Sequence, residues 1–300
     1  MILRNLKRWV RLPLFSVTWL CMAVAQSAAP SCSSCLEWNR PQAPFRIYGN
    51  TYYVGPHGLS SILITSDAGH VLIDGGLAES AQLIAANVRS LGFRIEDVKL
   101  ILNSHVHFDH AGGIAELQRM SGARVVASRW SAAVLKTGGV GRADPQYGVL
   151  IGIAPVKHAR ELRDGEILRV GGIVMTPHST PGHTPGGTSW TWKSCEGSVC
   201  QNMVFADSIT PISADGFKFS KSREYPRAVA DFQRSYAFLE VTPCDVLVTT
   251  HPEVSGLWDR LDARKRGTTP DPMVNADACR RLAEGGREQL RQRLAEELAR

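Results

Sequence analysis

Four potential metal ligands lie within six residues of one another: His105, His107, Asp109 and His110. Imidazole and carboxylate together suit zinc or a similar borderline metal. The cluster directly follows an apolar run that predicts a strand, and a loop at the carboxyl end of a strand can direct neighbouring side chains into one cavity. A solvated loop that is rich in histidine by chance is the alternative, and the presence of only nine histidines in 300 residues argues against it.

Two further histidines have a similar placement. His183 lies in the turn-rich segment Ser179–Gly187, and His251 directly follows the apolar run Asp245–Thr250. Either residue alone could be an ordinary surface histidine, but with the first cluster they supply six ligands, enough for two metal ions. The remaining histidines lack such placement and are interpreted as non-ligands: His57, His70, His158 and His178.

The elements that must position these ligands alternate along the chain. Short apolar and β-branched runs bounded by turn residues predict strands at 61–65, 71–74, 98–103, 124–127, 167–175, 188–192, 203–206 and 246–250. Apolar positions at helical spacing predict helices over 81–91, 112–121 and 276–299. This alternation, without a linker or a repeat, predicts one α/β layered domain.

Residues 1–25 predict a signal peptide that is removed on export. A basic start is followed by the apolar run Leu12–Ala25, and the run ends in the small–x–small form that signal peptidase accepts. An uncleaved signal anchor is the alternative, but the run is too short to span about 30 Å of hydrocarbon. We therefore expect a mature domain of residues 26–300 in the periplasm, with no membrane anchor.

The net charge of +6 could suggest a nucleic-acid partner. However, the predicted leader contains four basic and no acidic residues, and the rest of the chain carries 30 basic against 28 acidic residues. The basic balance belongs mainly to the leader, so no nucleic-acid partner is expected. No strong interface stripe is visible, and a monomer is the default expectation.

Six cysteines follow the leader, an even number that is typical of disulfide bonding in an oxidising compartment. The sequence alone does not fix the pairing, since six cysteines allow about 15 connectivities. Local spacing, followed by elimination, favours three bonds: Cys195–Cys200, Cys244–Cys279 and Cys32–Cys35. A structural zinc ion on the Cys32-x-x-Cys35 motif is the competing interpretation.

The ligand pattern of the 105–110 cluster, with the two downstream histidines, resembles the metallo-β-lactamase superfamily over essentially the whole mature chain. Glyoxalases, lactonases, nucleases and sulfatases share this pattern, so it indicates fold and metals better than substrate. His110 stands where subclass B1 enzymes have a non-ligand, and Phe205–Thr210 lacks the cysteine that those enzymes use instead. The chain is therefore most similar in pattern to subclass B3, and within it to the AIM- and SMB-type enzymes.

The resemblance implies an α/β fold, a four-layer αββα sandwich, with two zinc ions at one edge between the sheets. It assigns His105, His107 and His183 to the first zinc, and Asp109, His110 and His251 to the second. It implies that Ser208 and Thr210 bind a substrate carboxylate and that Gln146 lies on the substrate side. Asp74 matches a buried acid that braces the histidine loop, although it could be simply a turn residue.

The activity that the resemblance implies is zinc-dependent hydrolysis of the β-lactam amide of penicillins, cephalosporins and carbapenems, giving antibiotic resistance. Zinc lowers the pKa of bound water to about 7, so that a metal-bound hydroxide can attack the lactam carbonyl while Asp109 orients it. No covalent enzyme intermediate is required. The loops around Trp38, Gln146 and residues 210–225 are expected to decide among these substrates.

Two other functions remain open from the sequence. A lactonase or thioesterase of the same superfamily would often bridge its metals with an aspartate, and Asp207 is a candidate for that role. A non-catalytic exported zinc-binding protein is the second alternative. Structural zinc sites usually close around one metal with four ligands, whereas catalytic sites keep a position open. Six ligands arranged for two ions therefore favour catalysis.

Overall fold

Aliphatic and β-branched runs form two sheets in the computed structural model, which describes residues 32–163 and 165–299. The predicted signal peptide, residues 1–25, lies outside the described residues. In the first sheet β1 to β4 pair antiparallel and β4 to β7 pair parallel. Its seven strands follow one another in chain order: β1 Phe45–Tyr48, β2 Thr51–Tyr53, β3 Ile62–Ile64, β4 His70–Ile73, β5 Val98–Leu102, β6 Arg124–Ala127 and β7 Arg160–Glu161.

The second sheet has five strands in the order β12-β11-β10-β9-β8. Their bounds are β8 Leu168–Val170, β9 Ile173–Ser179, β10 Thr188–Glu196, β11 Val199–Ala206 and β12 Val246–Thr249. The prediction of a single strand over 167–175 is wrong, because the chain reverses at Gly171 into an antiparallel β8–β9 hairpin. Gly171 has a φ of +53°, which glycine adopts without a Cβ penalty.

Helices cover the outer faces of both sheets. Their bounds are α1 Cys35–Trp38, α2 Ser80–Ser90, α3 Phe108–Ala111, α4 Ile114–Ser121, α5 Arg129–Thr137, α6 Ala228–Val241, α7 Leu257–Lys265 and α8 Ala278–Ala299. The predicted helices at 81–91, 112–121 and 276–299 correspond to α2, α4 and α8. Among the described residues, no helix combines the length and the apolar character needed to cross a membrane.

Three apolar clusters separate the molecule into four layers. Strand side chains alternate between faces: Ile62 and Ile64 belong to the cluster between the two sheets, and Leu63 belongs to the cluster under α2 and α4. The third cluster packs the outer face of the second sheet against α6 and α8, and Phe232 and Leu290 are among its buried members. The predicted αββα sandwich is therefore confirmed.

Three disulfide bonds pair the six cysteines in the way that spacing and elimination favoured: Cys32–Cys35, Cys195–Cys200 and Cys244–Cys279. Cys195 and Cys200 face each other near the tip of the β10–β11 hairpin. The bond at Cys244 ties the segment before β12 to the first turn of α8. Because Cys32 and Cys35 are bonded to each other, they do not offer the thiolates that a structural zinc would need.

Candidate metal centre

The six predicted ligands come together at one edge of the sandwich, where strands of both sheets end. The 105–110 cluster follows β5, His183 lies between β9 and β10, and His251 follows β12. Ligand sites of α/β folds commonly form at such carboxyl ends of strands. The ligands form two groups, and within each group the potential ligating atoms lie within 4.8 Å of one another: a first group of His105, His107 and His183, and a second group of Asp109, His110 and His251.

Each histidine of the first group contacts an oxygen atom of the protein through one ring nitrogen. The contacts are His105 Nδ1 to Asp207 Oδ1 at 2.7 Å, His183 Nδ1 to the Thr210 carbonyl oxygen at 2.9 Å, and His107 Nε2 to Asp144 Oδ2 at 3.1 Å. Contacts of this kind select the ring tautomer and orientation in metal sites. All three rings are buried, so the first group is both enclosed and held from behind.

The second group is held mainly by contacts among its own members. Oδ2 of Asp109 lies 3.2 Å from Nε2 of His110 and 3.3 Å from Nε2 of His251. The support from elsewhere in the chain is the carbonyl oxygen of Gly58, which lies 3.2 Å from Nδ1 of His251. The side chain of His251 is 27% exposed, against 2% for His110. The second group therefore forms the open side of the centre.

Burial favours the neutral form of three of the site histidines: His105, His110 and His183. It lowers the pKa of His183 to about 3, with a further contribution from His107. Burial likewise lowers the pKa of His105 well below its usual value, and it lowers that of His110 against the opposing charge of Asp109. Since only a neutral imidazole has a lone pair for a metal, these shifts favour metal binding.

Asp109 is ionised in this setting. Burial by itself raises the pKa of the carboxyl, but the imidazoles of His110 and His251 outweigh it and hold the pKa well below its usual range. A buried carboxylate needs a compensating positive charge or hydrogen bonds. The second group therefore offers one carboxylate and two imidazole ligands, whereas the first group offers three imidazoles.

Asp74 braces the loop that carries the cluster, as the resemblance implied. Its carboxylate accepts hydrogen bonds from the backbone N–H of Ser104 at 2.8 Å, from Oγ of Ser104 at 2.6 Å and from Nδ2 of Asn103 at 3.3 Å. Asp74 has a φ of +58°, a left-handed conformation that aspartate tolerates better than most residues. Burial raises its pKa to about 7 against these hydrogen bonds. Asp74 is therefore a structural brace, and the turn-residue interpretation is insufficient.

The predicted substrate-side residues lie around the same centre. Nε2 of Gln146 is 3.4 Å from Nε2 of His183. Oγ of Ser208 hydrogen-bonds Oγ1 of Thr250 at 2.8 Å, directly before His251. Thr210 contacts the site through its backbone carbonyl, which holds His183. Their positions are compatible with substrate binding next to both groups.

Two residues at the site have roles that the sequence did not reveal. The sequence offers Asp207 as a candidate metal bridge. In the structure its Oδ1 instead lies 2.7 Å from Nδ1 of His105 and so contacts a ligand of the first group. Burial and the neighbouring Asp74 raise its pKa well above the usual value. Asp144, in the segment Gly141–Pro145, gave no signal in the sequence because its partner His107 is 37 residues away.

The donor set and its unpaired nitrogen fit a metal. Nε2 of His105, the ring nitrogen that Asp207 does not contact, is buried and has no hydrogen-bond partner among the described residues. Buried polar atoms without a partner are costly, and a bound cation removes that cost for a nitrogen that faces it. Nitrogen and carboxylate ligands in sets of three are typical of catalytic zinc sites. The first group thus fits one zinc ion, and the second group fits another.

The comparisons with known proteins agree with this fold and site. The model of the metallo-β-lactamase superfamily matches residues 54–196. Among solved structures, Rm3 metallo-β-lactamase is 58% identical to the chain, with a TM-score of 0.87 and coverage of 89% of this chain and 99% of that one. The chain belongs to the metallo-β-lactamase superfamily.

The likeness extends to subclass B3 within that superfamily. MEM-A1, a subclass B3 metallo-β-lactamase isolated from a soil metagenome library, is 48% identical, with a TM-score of 0.85 and coverage of 87% of this chain and 99% of that one. SMB-1 metallo-β-lactamase is 44% identical, with a TM-score of 0.83 over 87% of this chain. Similarity at this level supports a zinc-dependent hydrolase.

The curated relatives are more distant and cover less of the chain. Hydroxyacylglutathione hydrolase from Rhodopseudomonas palustris strain BisB18 is 33% identical over 128 residues, which are 43% of this chain and 41% of that protein. The enzyme of the same name from strain HaA2 is 28% identical over 185 residues, which are 61% and 63% of the two chains. The chain spans less than two thirds of the length of these relatives.

Proposed function

We propose that the chain is an exported β-lactamase that holds two zinc ions and opens the cyclic amide of penicillins, cephalosporins and carbapenems. The observation that carries the proposal is the pairing of an all-histidine group with an Asp109–His110–His251 group at one open edge. The likeness to B3 enzymes over nearly the whole length of their chains supports the same activity. Resistance to these antibiotics would follow from such an activity in the periplasm.

The chain provides the parts that this reaction needs. His105, His107 and His183 would hold the first metal, and the second group would hold the other. When bound, zinc lowers the pKa of water to about 7 and polarises carbonyl oxygens. Asp109 orients the nucleophile through the carboxylate oxygen that faces the two imidazoles of its group. The enzyme needs no covalent intermediate, because the nucleophile is water.

The charge of the centre suits an anionic substrate. Two zinc dications against the single ligating carboxylate of Asp109 would leave a net positive charge at the open edge of the site. A β-lactam antibiotic carries a carboxylate next to its reacting amide, and such an anion gains most where charge is concentrated in a cleft. Ser208 and Thr210 would receive that carboxylate, and Gln146 would contact the substrate beside His183. Together these contacts would hold the amide at the edge where the two ligand groups meet.

The position of Asp207 favours lactam hydrolysis over the thioester alternative. A bridging aspartate would lie between the two groups, whereas the Asp207 carboxylate contacts the Nδ1 side of His105. Thioester hydrolysis still has an independent basis in the names of the curated relatives. A test of the function must therefore measure both lactam hydrolysis and thioester hydrolysis.

The decisive experiment is hydrolysis of a chromogenic cephalosporin by the purified mature protein, before and after metal removal by a chelator. We expect turnover that disappears on chelation and returns with two equivalents of zinc per chain, and little turnover of a hydroxyacyl-thioester. Turnover in a metal-free preparation, or preferred turnover of the thioester, would overturn the proposal.

Export is tested in the same system. We expect the full chain, expressed in a Gram-negative host, to give cephalosporin hydrolysis in the periplasmic fraction. A matched chain that lacks residues 1–25 should give hydrolysis only in the cytoplasmic fraction. Equal distribution of both proteins would contradict the role of the leader.

A further inference from the structure

The N-terminal part of the described chain crosses the open side of the metal centre. We name residues 32–40 the strap; it contains the Cys32–Cys35 bond and helix α1. The indole ring of Trp38 lies 5.3 Å from the imidazole of His251, centroid to centroid, and 6.5 Å from the ring of Phe108. The strap thus contacts the most exposed of the six ligands.

His251 has less support from the protein than any histidine of the first group. Its Nδ1 lies 3.2 Å from the carbonyl oxygen of Gly58, a longer contact than the 2.9 Å between Nδ1 of His183 and the Thr210 carbonyl. Because the side chain of His251 is 27% exposed, its ring can tilt toward solvent on that side. The tilted packing of Trp38 against the ring, at an interplanar angle of 54°, limits that movement.

Gly58 connects the strap to His251. Its N–H donates a hydrogen bond to the carbonyl oxygen of Trp38 at 3.0 Å, while its own carbonyl faces His251. A Cβ on Gly58 would lie 2.6 Å from Cα of Trp38, so the absence of a side chain allows this close approach. One backbone position therefore fixes both the ligand and the residue that covers it.

Two further contacts fasten the strap to the first sheet and α2. The N–H of His57 donates to the carbonyl oxygen of Arg40 at 2.8 Å, and Oγ of Ser80 donates to Oδ1 of Asn39 at 2.7 Å. Both contacts lie on the carboxyl side of Trp38. On the amino side, the strap is closed by its own disulfide bond.

The disulfide bond stabilises the turn that presents Trp38. Helix α1 has only four residues, and a helix of that length is not stable by itself in water. The bond links Cys32 to Cys35, the first residue of this helix. The backbone carbonyl oxygen of Ser34 accepts a hydrogen bond from the N–H of Trp38 at 2.8 Å. A disulfide bond reduces the number of conformations that the open chain can sample.

From these contacts we infer that Trp38 is a positioning residue, which the disulfide-closed strap holds against His251 and which thereby raises the metal affinity of the second group. The inference rests on the proposed two-metal site. Residues that orient a ligand from behind typically change metal affinity by about 10- to 100-fold. Trp38 acts on the ring face and not on the ring nitrogen, so we expect an effect at the lower end of this range.

The test measures zinc affinity and not turnover. Metal-free protein is titrated with zinc against a chromophoric chelator, which resolves the affinities of the two groups. In Trp38→Ala we expect the affinity of the second group to fall about tenfold and that of the first group to be unchanged. Trp38→Phe retains an aromatic face and should restore most of the loss. The matched control is Leu36→Ala, which removes a 91% exposed side chain from the same helix.

The disulfide bond is tested in the same titration. Cys32→Ser with Cys35→Ser should weaken the second group selectively, by less than Trp38→Ala does. Cys195→Ser with Cys200→Ser removes the bond at the distant β10–β11 hairpin and should leave both affinities unchanged. Cobalt substitution gives a second readout, since its visible spectrum reports the ligand geometry of each group.

The outcomes separate this inference from the proposed function. Two bound zinc ions in the wild type, with unchanged affinities in Trp38→Ala, would overturn the strap inference alone. Equal weakening of both groups, with a lowered melting temperature, would also overturn it, because the role would then be general stability. Fewer than two zinc ions in the wild type would overturn the two-metal function instead.

Discussion

Every imidazole of the first group contacts an oxygen atom from elsewhere in the chain, whereas the second group depends largely on contacts among its own members. Asp207, Asp144 and the Thr210 carbonyl hold the first group. In the second group, Nδ1 of His110 has no hydrogen-bond partner among the described residues, and His251 contacts only a neutral carbonyl on that side. The difference predicts a tightly organised first site and a more adjustable second site.

The supporting contacts favour the first group, whereas the charge of the ligands favours metal binding in the second group. The first group consists of three imidazoles, whose metal affinity depends on geometry and on the oxygen atoms behind them. The second group contains the anion Asp109, whose charge attracts a cation without fine positioning. The protein therefore combines one site organised by orientation with one site organised by charge.

The largest effect is expected from removing that charge. In Asp109→Asn, cephalosporin turnover should fall by about 10²–10⁴-fold, the usual contribution of a side chain that positions a proton or nucleophile. The zinc of the first group should remain bound, because its ligands are untouched. Steady-state kinetics with metal analysis of the same sample measures both quantities.

The matched control for this variant is Asp259→Asn, which changes an exposed aspartate in α7. It should retain wild-type turnover and metal content. Near wild-type activity of Asp109→Asn with two metals bound would show that the second group does not depend on its charge, and the comparison of the two groups would fail.

Much of this centre could be predicted from the sequence because its ligands follow strands. The 105–110 cluster and His251 directly follow apolar runs, and His183 lies in a turn-rich segment between two strands. The carboxyl ends of such strands meet at one edge of an α/β fold. Apolar positions at helical spacing predict α2, α4 and α8, and apolar and β-branched runs predict most of the strands. A local sequence pattern is enough to predict a metal ligand where that ligand lies next to the strand that positions it.

The supporting residues could not be predicted, because their contacts are distant in sequence. Gly58 and His251 are 193 residues apart, and Asp207 and His105 are 102 apart. Trp38 lies in a four-residue helix without a periodic pattern. The β8–β9 reversal was missed because its Gly171–Gly172 turn interrupts a run that otherwise reads as one strand. Such features depend on tertiary packing, which overrides local preference.

The next largest effect concerns the support of the first group. Asp207→Asn replaces the carboxyl group that contacts Nδ1 of His105 with an amide of similar shape. We expect the zinc affinity of the first group to fall by about 10- to 100-fold, since the conservative change weakens the polarisation of the ring. The second group should retain its affinity, and competition with a chromophoric chelator measures both.

Asp215→Asn, at an exposed position, is the control for this change. Asp144→Asn should act in the same direction with a smaller effect, because its contact with His107 is 3.1 Å against 2.7 Å for Asp207 and His105. A selective loss at the second group in either variant would reverse the assignment of the supports.

The smallest expected effect is the difference in zinc affinity between the two groups of the unmodified protein. During stepwise removal of zinc, we expect the second group to empty at about tenfold lower chelator concentration, because it has fewer supporting contacts and each such contact typically contributes a factor of about 10 to 100. The charge of Asp109 offsets part of this difference, which is why the gap is small. Cobalt-substituted protein, followed by its visible spectrum, distinguishes which group empties first. Earlier loss from the three-histidine group would mean that the carboxylate outweighs the supports behind His105, His107 and His183.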